Sequence, residues 1–207
     1  RSPTLGRKAP EGAVVLFDGT NMDAWENNPE GPWGIRDGLL LSAVARGKQL
    51  VSKQHFTDVS AHVEFRLPYM PDKTGQSRAN SGVFLQGEYE VQVLDSYGLP
   101  GYFRECGALY KVCAPKVNMC YPPNVWQTYD IDFTAPKFGP DGKQTANARI
   151  TVRHNGVLIH TDEEITMLPT NSYKDRIKPH PRGPGPFELQ AHGNHVQYRN
   201  IWVVEKN

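Results

Sequence analysis

The sequence predicts an all-β sandwich of two packed antiparallel sheets. Three features carry that reading: tight-turn dipeptides between apolar runs, stretches that alternate with a period of two, and turn residues spread along the whole chain. With 19 Gly and 17 Pro in 207 residues, long helices have little room. Asp37-Gly38 and Asn155-Gly156 each sit between apolar segments. Both dipeptides tolerate the positive φ of a two-residue turn, so each predicts a hairpin. From Val59 to Leu67, alternation places Val59, Ala61, Val63, Phe65 and Leu67 on one face and His62, Glu64 and Arg66 on the other. Asn80–Gln86, Glu88–Asp95, Trp126–Phe133, Phe187–His192 and Tyr198–Val204 follow as further strands, giving about ten in all. The most helix that fits is a short turn near Thr161–Met167.

A hydrophobic share of 38% and a charged share of 22% suit one globular domain with a real core. Residues 1–11 read as a flexible lead-in and 12–207 as a single β-sandwich domain. Net charge is +1, from 23 basic and 22 acidic residues, which gives no electrostatic case for nucleic acid as a partner. No apolar run reaches the roughly 20 residues of a spanning helix, so membrane insertion is not expected. The chain begins at Arg1 rather than Met, which suggests a processed terminus and a removed signal peptide. Cys106, Cys113 and Cys120 leave two states open: a disulfide with one free thiol in an oxidising compartment, or three thiols in a reducing one. Their spacing lacks the close ligand pair of common zinc sites.

Candidate chemistry centres on one repeated pattern. Tyr89-Glu90-Val91-Gln92-Val93 and Phe187-Glu188-Leu189-Gln190-Ala191-His192 share aromatic-Glu-aliphatic-Gln. In strands, Glu90, Gln92, Glu188, Gln190 and His192 would face away from the core together. The same parity would bring Arg66, Glu64 and Gln86 to that surface. Such a set suits the hydrogen-bonding needs of sugar hydroxyls better than an ordinary solvated face does. Asp95, at the end of its strand, would cap the turn at Ser96-Tyr97-Gly98 or swing into the site. His192 and His195, with Glu188, could ligate a divalent cation, although no cofactor is firmly expected. The loops Tyr69–Ala79, Tyr97–Tyr110, Ala114–Val125 and Thr170–Pro186 are long and rich in Tyr and Arg, as ordered loops bordering a site are.

These residues also carry a family likeness. Leu16-Phe17-Asp18-Gly19 with Trp25, Trp33 with Asp37-Gly38-Leu39-Leu40, and Asn80-Ser81-Gly82-Val83-Phe84 come first. The Glu90 strand, Gly107-Ala108-Leu109-Tyr110, Trp126-Gln127-Thr128-Tyr129-Asp130, Gln190-Ala191-His192-Gly193 and Asn200-Ile201-Trp202 follow in order. In that order they resemble the 3-keto-disaccharide hydrolase family, of the concanavalin A-like lectin/glucanase superfamily. The resemblance implies a jelly-roll sandwich, a bacterial secreted or periplasmic setting, and cleavage of glycosides whose glucose unit carries a 3-keto group. An oligosaccharide or glycoside would then be the partner. On that chemistry Glu90 or His192 is expected as base, Arg66 or a cation as enolate stabiliser, and Glu188 or Tyr110 as acid. Asn80, Gln92, Gln190 and Asp95 would hold hydroxyls, and Tyr97, Tyr102 and Trp126 would offer stacking surfaces. Two alternatives stand beside it: a non-catalytic carbohydrate-binding module, and a glycosidase using Glu90 and Glu188 as paired carboxylates.

Overall fold

The computed structural model describes residues 1–26, 33–42, 45–170, 175 and 177–206. Among these, the chain forms two packed antiparallel sheets with almost no helix. The larger sheet runs β12 (Val157–Ile165), β11 (Ala148–His154), β8 (Trp126–Thr134), β5 (Val59–Arg66), β14 (Gln197–Glu205), β3 (Leu39–Leu41) and β2 (Gly34–Arg36). β1 (Val14–Phe17) adds to β14. The smaller sheet runs β4 (Leu50–Phe56), β13 (Gly185–Leu189), β6 (Ser81–Leu85) and β7 (Tyr89–Val93). A separate hairpin pairs β9 (Lys137–Phe138) with β10 (Gln144–Ala146). Among the described residues no helix is long and apolar enough to cross a membrane.

Turn chemistry sets both expected hairpins. Asp37 and Gly38 join β2 to β3 at φ 53° and 70°, and Asn155 and Gly156 join β11 to β12 at φ 52° and 82°. Both pairs have the two positive φ angles that suit a twisted hairpin. Alternation then fills the space between the sheets. β5 sends Val59, Ala61, Val63 and Phe65 inward, and β7 sends Tyr89, Val91 and Val93 to meet them. Rings fill this layer: Phe65 meets Tyr129 within the larger sheet at 4.8 Å, and Tyr89 of the smaller sheet meets Phe133 of the larger at 4.9 Å. Truncating such a buried ring costs about 3–5 kcal/mol, so the sandwich is held chiefly by this layer.

The outer face of each sheet is covered as well. On the larger sheet, residues 1–11 are packed down rather than loose. Ser2 is buried with its hydroxyl 2.6 Å from Thr128 Oγ1, Thr4 Oγ1 donates to Asp130 at 2.7 Å, and the Gly6 N–H donates to Glu64. Glu64 also accepts from Arg199 Nε (2.7 Å) and Asn200 Nδ2 (2.9 Å). Burial opposes its ionisation, but hydrogen bonds from His62, Asn200, Gly6 and Arg199 outweigh it and hold the carboxyl at about 2. Arg66 lies on this same sheet, bonded to Gln197 and stacked over Trp126 at 4.8 Å. The alternation that put Glu64 and Arg66 outward is right, but it cannot say which sheet a strand joins.

One further expectation is corrected, and one left open is decided. Thr161–Met167 holds no helical turn: β12 continues through it to Ile165, bulged opposite Thr151. The three cysteines are free thiols, Cys106 and Cys120 buried against each other and Cys113 half-exposed. The expected loop Thr170–Pro186 falls partly outside the described residues.

Deleting residues 1–11 should lower the unfolding free energy by about 2–3 kcal/mol at neutral pH, because a buried carboxylate loses a donor and Trp202 loses its cover. Glu64 contributes stability above the ordinary carboxyl value and loses it as pH falls towards about 2. The deletion penalty, read by urea denaturation, should therefore shrink on acidification.

Candidate functional site

The smaller sheet turns its other face to a cleft, and strand register builds the floor. Glu90 pairs with Phe84, and Phe84 with Glu188, in one row across β7, β6 and β13. One step on, Gln92 pairs with Gly82, whose carbonyl accepts the Gln190 N–H at 2.9 Å. The two copies of Glu-x-Gln thus flank β6 on either side. Gly82 fills the centre by having no side chain. A Cβ there would lie 2.5 Å from Glu90 Oε1 and 3.0 Å from Phe84 Cε2, so the Glu90 carboxyl leans over the glycine into the middle of the floor.

Loops raise the walls, which is why all of β7 is buried rather than every second residue. Gln76, Asn80, Glu90, Gln92, Tyr110, Gln190 and His192 line a small, half-open cleft. Gln76 knits them together. Its Oε1 accepts from Asn80 Nδ2 (3.2 Å), Gln92 Nε2 (3.2 Å) and the Tyr110 hydroxyl (3.4 Å), and its Nε2 donates to the Arg104 carbonyl at 2.9 Å. Tyr110 arrives on a segment that pairs with the sheet edge: Gly107 N–H donates to Gln92 O, Gln92 N–H to Ala108 O, and Tyr110 N–H to Glu90 O. Three buried polar atoms at this cleft have no partner in the protein: Asn80 Oδ1, Gln190 Oε1 and His192 Nδ1. Buried polar groups are nearly always paired, so three unpaired together make this cleft the candidate binding place.

The cleft also sets protonation. Burial alone lifts the Glu90 carboxyl to about 8. Burial lifts Glu188 to about 7, helped by the charges of Glu88 and Glu26. Burial and the Arg46 charge push His192 below the ordinary imidazole value. Tyr110 is raised by burial and by Glu90, with Arg104 opposing. At neutral pH the cleft therefore holds a protonated carboxyl and a neutral imidazole, with cationic Arg46 and Arg104 close by. That combination can take a proton at one point and give one at another.

Of the expected site residues, the structure brings together Glu90, Gln92, Tyr110, Asn80, Gln190 and His192. Glu188 shares the face, but Phe84 stands between it and Glu90. Asp95 takes the capping role, accepting the Tyr97 N–H at 3.3 Å while Arg78 pairs with it at 3.2 Å. Tyr97 is exposed outside the cleft. Arg66 and Trp126 are on the far sheet, and Gln86 sits in the β6–β7 turn, bonded to Gly183 O. His195 bonds Ser42 O, and Glu188, His192 and His195 form no metal-binding cluster among the described residues. Gln76, Gly82, Arg46 and Arg104 escaped the sequence reading. Three of them had a signal there without a role: Gln76 and Arg104 lie in the long loops Tyr69–Ala79 and Tyr97–Tyr110, and Gly82 in the family motif Asn80-Ser81-Gly82-Val83-Phe84.

A sequence model of the 3-keto-alpha-glucoside-1,2-lyase-like domain matches residues 12–204, and the chain belongs to that family. Among solved structures it is similar to a "putative glycosyl hydrolase" from Parabacteroides distasonis at 37% identity and TM-score 0.86, covering 96% of this chain and 85% of that one. A second such protein from the same organism matches at 16% identity and TM-score 0.67, over 95% of both chains. An alginate lyase matches at 9% identity and TM-score 0.53, over 95% of this chain and 98% of that one. The last two show the shared sandwich alone. No curated protein matched the chain.

Glu90→Gln should stabilise the fold at alkaline pH. A carboxyl raised to about 8 binds its proton more tightly when folded, so stability falls as pH rises from the ordinary value of 4.5 through about 8. The amide does not ionise. Denaturant melts should show the variant ahead by a few kcal/mol above pH 8 and the gap closing near pH 4.

Proposed function

We propose that this member of the 3-keto-α-glucoside-1,2-lyase-like family cleaves the glycosidic bond of a 3-keto-glucoside by β-elimination, with His192 as base and Glu90 as acid. One observation carries the reading: a neutral imidazole and a protonated carboxyl share one cleft among three unpaired polar atoms. In a 3-keto sugar the ketone acidifies the hydrogen on C2. His192 takes that proton, and the C–H electron pair becomes the C1=C2 bond. As the C1–O bond breaks, Glu90 gives its proton to the departing oxygen. Arg46 or Arg104 offsets charge developing on the ketone oxygen. Water adding across the new double bond would complete a net hydrolysis.

The walls divide between the two halves of the substrate. Asn80 Oδ1 and Gln190 Oε1 are free to accept from sugar hydroxyls. Beyond Gln76 a second, open hollow of about 350 Å3 is lined by Leu94, Leu99, Tyr102 and Phe103. Tyr102 and Phe103 are 62% and 45% exposed, which suits stacking against a departing sugar or aglycone. A paired-carboxylate glycosidase fits less well, because it needs one ionised carboxylate at rest. Desolvation here lifts both Glu90 and Glu188.

The test is incubation with a 3-keto disaccharide and with its unmodified parent. Products should form only from the keto sugar, since the parent has no acidic C2 hydrogen. Equal cleavage of both would overturn the elimination, and binding without products would favour a carbohydrate-binding module. Turnover should be bell-shaped in pH, with an alkaline limb near 8 as Glu90 loses its proton and an acid limb below the usual imidazole value as His192 gains one. Glu90→Gln and His192→Gln should each lower kcat about 100-fold or more. Tyr102→Ala should instead raise KM about tenfold with kcat little changed.

A further inference from the structure

We propose that Cys113, His160 and Glu163 form a zinc site that clamps the Tyr110 segment onto β12. One ligand atom from each of the three lies within 4.8 Å of the other two. Around a tetrahedral zinc with bonds of 2.0–2.3 Å, ligand atoms sit about 3.3–3.8 Å apart. Small rotations of the half-buried Cys113 and Glu163 side chains close that difference.

The histidine is already set as a ligand. His160 is fully buried, and its Nε2 lies 2.7 Å from the Gly107 carbonyl. A carbonyl only accepts, so Nε2 carries the hydrogen and Nδ1 keeps its lone pair. That Nδ1 is buried without a partner. A histidine that donates one ring N–H to a carbonyl and offers the other nitrogen is the usual arrangement at metal sites, where the outer bond fixes tautomer and ring angle.

The strand is bent to make the set. Residues three apart on a regular strand face opposite ways, which would separate His160 from Glu163. In β12, Val152 pairs with His160 while Ile150 pairs with Glu163, so Thr161 and Asp162 together oppose Thr151. This bulge returns Glu163 to the side of His160. Its cost is Asp162 at φ 48°, a conformation that non-glycine residues avoid. Arg149 holds it there with bonds of 2.7 and 2.8 Å to the carboxylate and 2.6 Å to the carbonyl, and Thr151 Oγ1 accepts the Asp162 N–H at 2.8 Å. Strain kept in place by this many bonds is what a functional geometry looks like.

Thiolate, imidazole and carboxylate together suit zinc, with a fourth position open to water beside the half-exposed cysteine. Cys113 closes the turn that carries Tyr110: its N–H donates to Leu109 O and its carbonyl accepts the Leu109 N–H, both at 3.0 Å. A metal on Cys113 would tie that turn to β12 at a second point, beside the His160–Gly107 bond.

The experiment uses the full chain, stripped with a chelator and titrated with Zn2+ and Co2+ alone. One equivalent of Zn2+ should bind with micromolar or tighter affinity and raise the melting temperature. Co2+ should give a thiolate charge-transfer band and the intense visible bands of a tetrahedral site. Cys113→Ser should abolish the charge-transfer band and weaken Zn2+ about 100-fold or more, and Glu163→Gln should weaken it less. Metal-free melts matching the parent would show that both variants fold. No saturable binding, a Co2+ spectrum without the thiolate band, or unchanged affinity in Cys113→Ser would each overturn the site.

Discussion

The character of the cleft depends on a carboxyl buried with no donor to hold it. Glu90 lies over Gly82 on the floor of the cleft and accepts no hydrogen bond among the described residues. Leaving such a group dry opposes its ionised form, and that opposition makes it a proton donor at neutral pH. A donor aimed at Glu90 would relieve the penalty and lower its pKa, removing the property on which the proposed chemistry rests. The aromatic layer between the sheets, Phe65 on Tyr129 and Tyr89 on Phe133, supplies the stability that keeps this arrangement folded.

Glu64 shows the opposite outcome for the same residue type. Both glutamates sit on strands between inward-facing apolar neighbours, and both are buried under another part of the chain. Around Glu64 the covering segment brings a backbone N–H, with Arg199 and Asn200 beside it, and the carboxyl is held at about 2. Around Glu90 the covering loops bring amides that bond one another through Gln76 and leave the carboxyl alone, at about 8. One becomes a permanent anion fastening the N-terminal segment. The other becomes an acid. Burial does not choose between these roles; the donors that arrive with it do.

This contrast explains what the sequence discloses. Period-two alternation marks which residues of a strand leave the core, and Asp37-Gly38 and Asn155-Gly156 mark hairpins, because both are local properties of the chain. The repeated Glu-x-Gln was legible for the same reason, and β7 and β13 do fall in one sheet with β6 between them. Sheet membership is not local. Arg66 alternates as Glu90 does, yet pairing to β8 and β14 puts it on the far side of the molecule. The coverings were equally hidden: nothing in residues 1–11 announces a contact with Thr128 or Glu64, and nothing in Gly82 announces a carboxyl leaning over it.

The segment around Gly107 shows how far apart in sequence the determinants of one site lie. It extends the small sheet by pairing with Gln92, and its carbonyl is held by His160 from the larger sheet. At φ 84°, a conformation that L side chains rarely adopt, position 107 favours glycine, and a Cβ there would also push against Ile159 Cδ1 at 2.6 Å. Three residues later comes Tyr110, whose N–H reaches the Glu90 carbonyl and whose hydroxyl reaches Gln76. Tyr110 is therefore placed by contacts to both sheets, not by its own loop. Because a wall anchored to both layers moves only if they move, the spacing between Tyr110 and Glu90 is set by the packing of the sandwich itself. The core beneath the cleft thereby fixes the geometry of its walls as well as the stability of the fold.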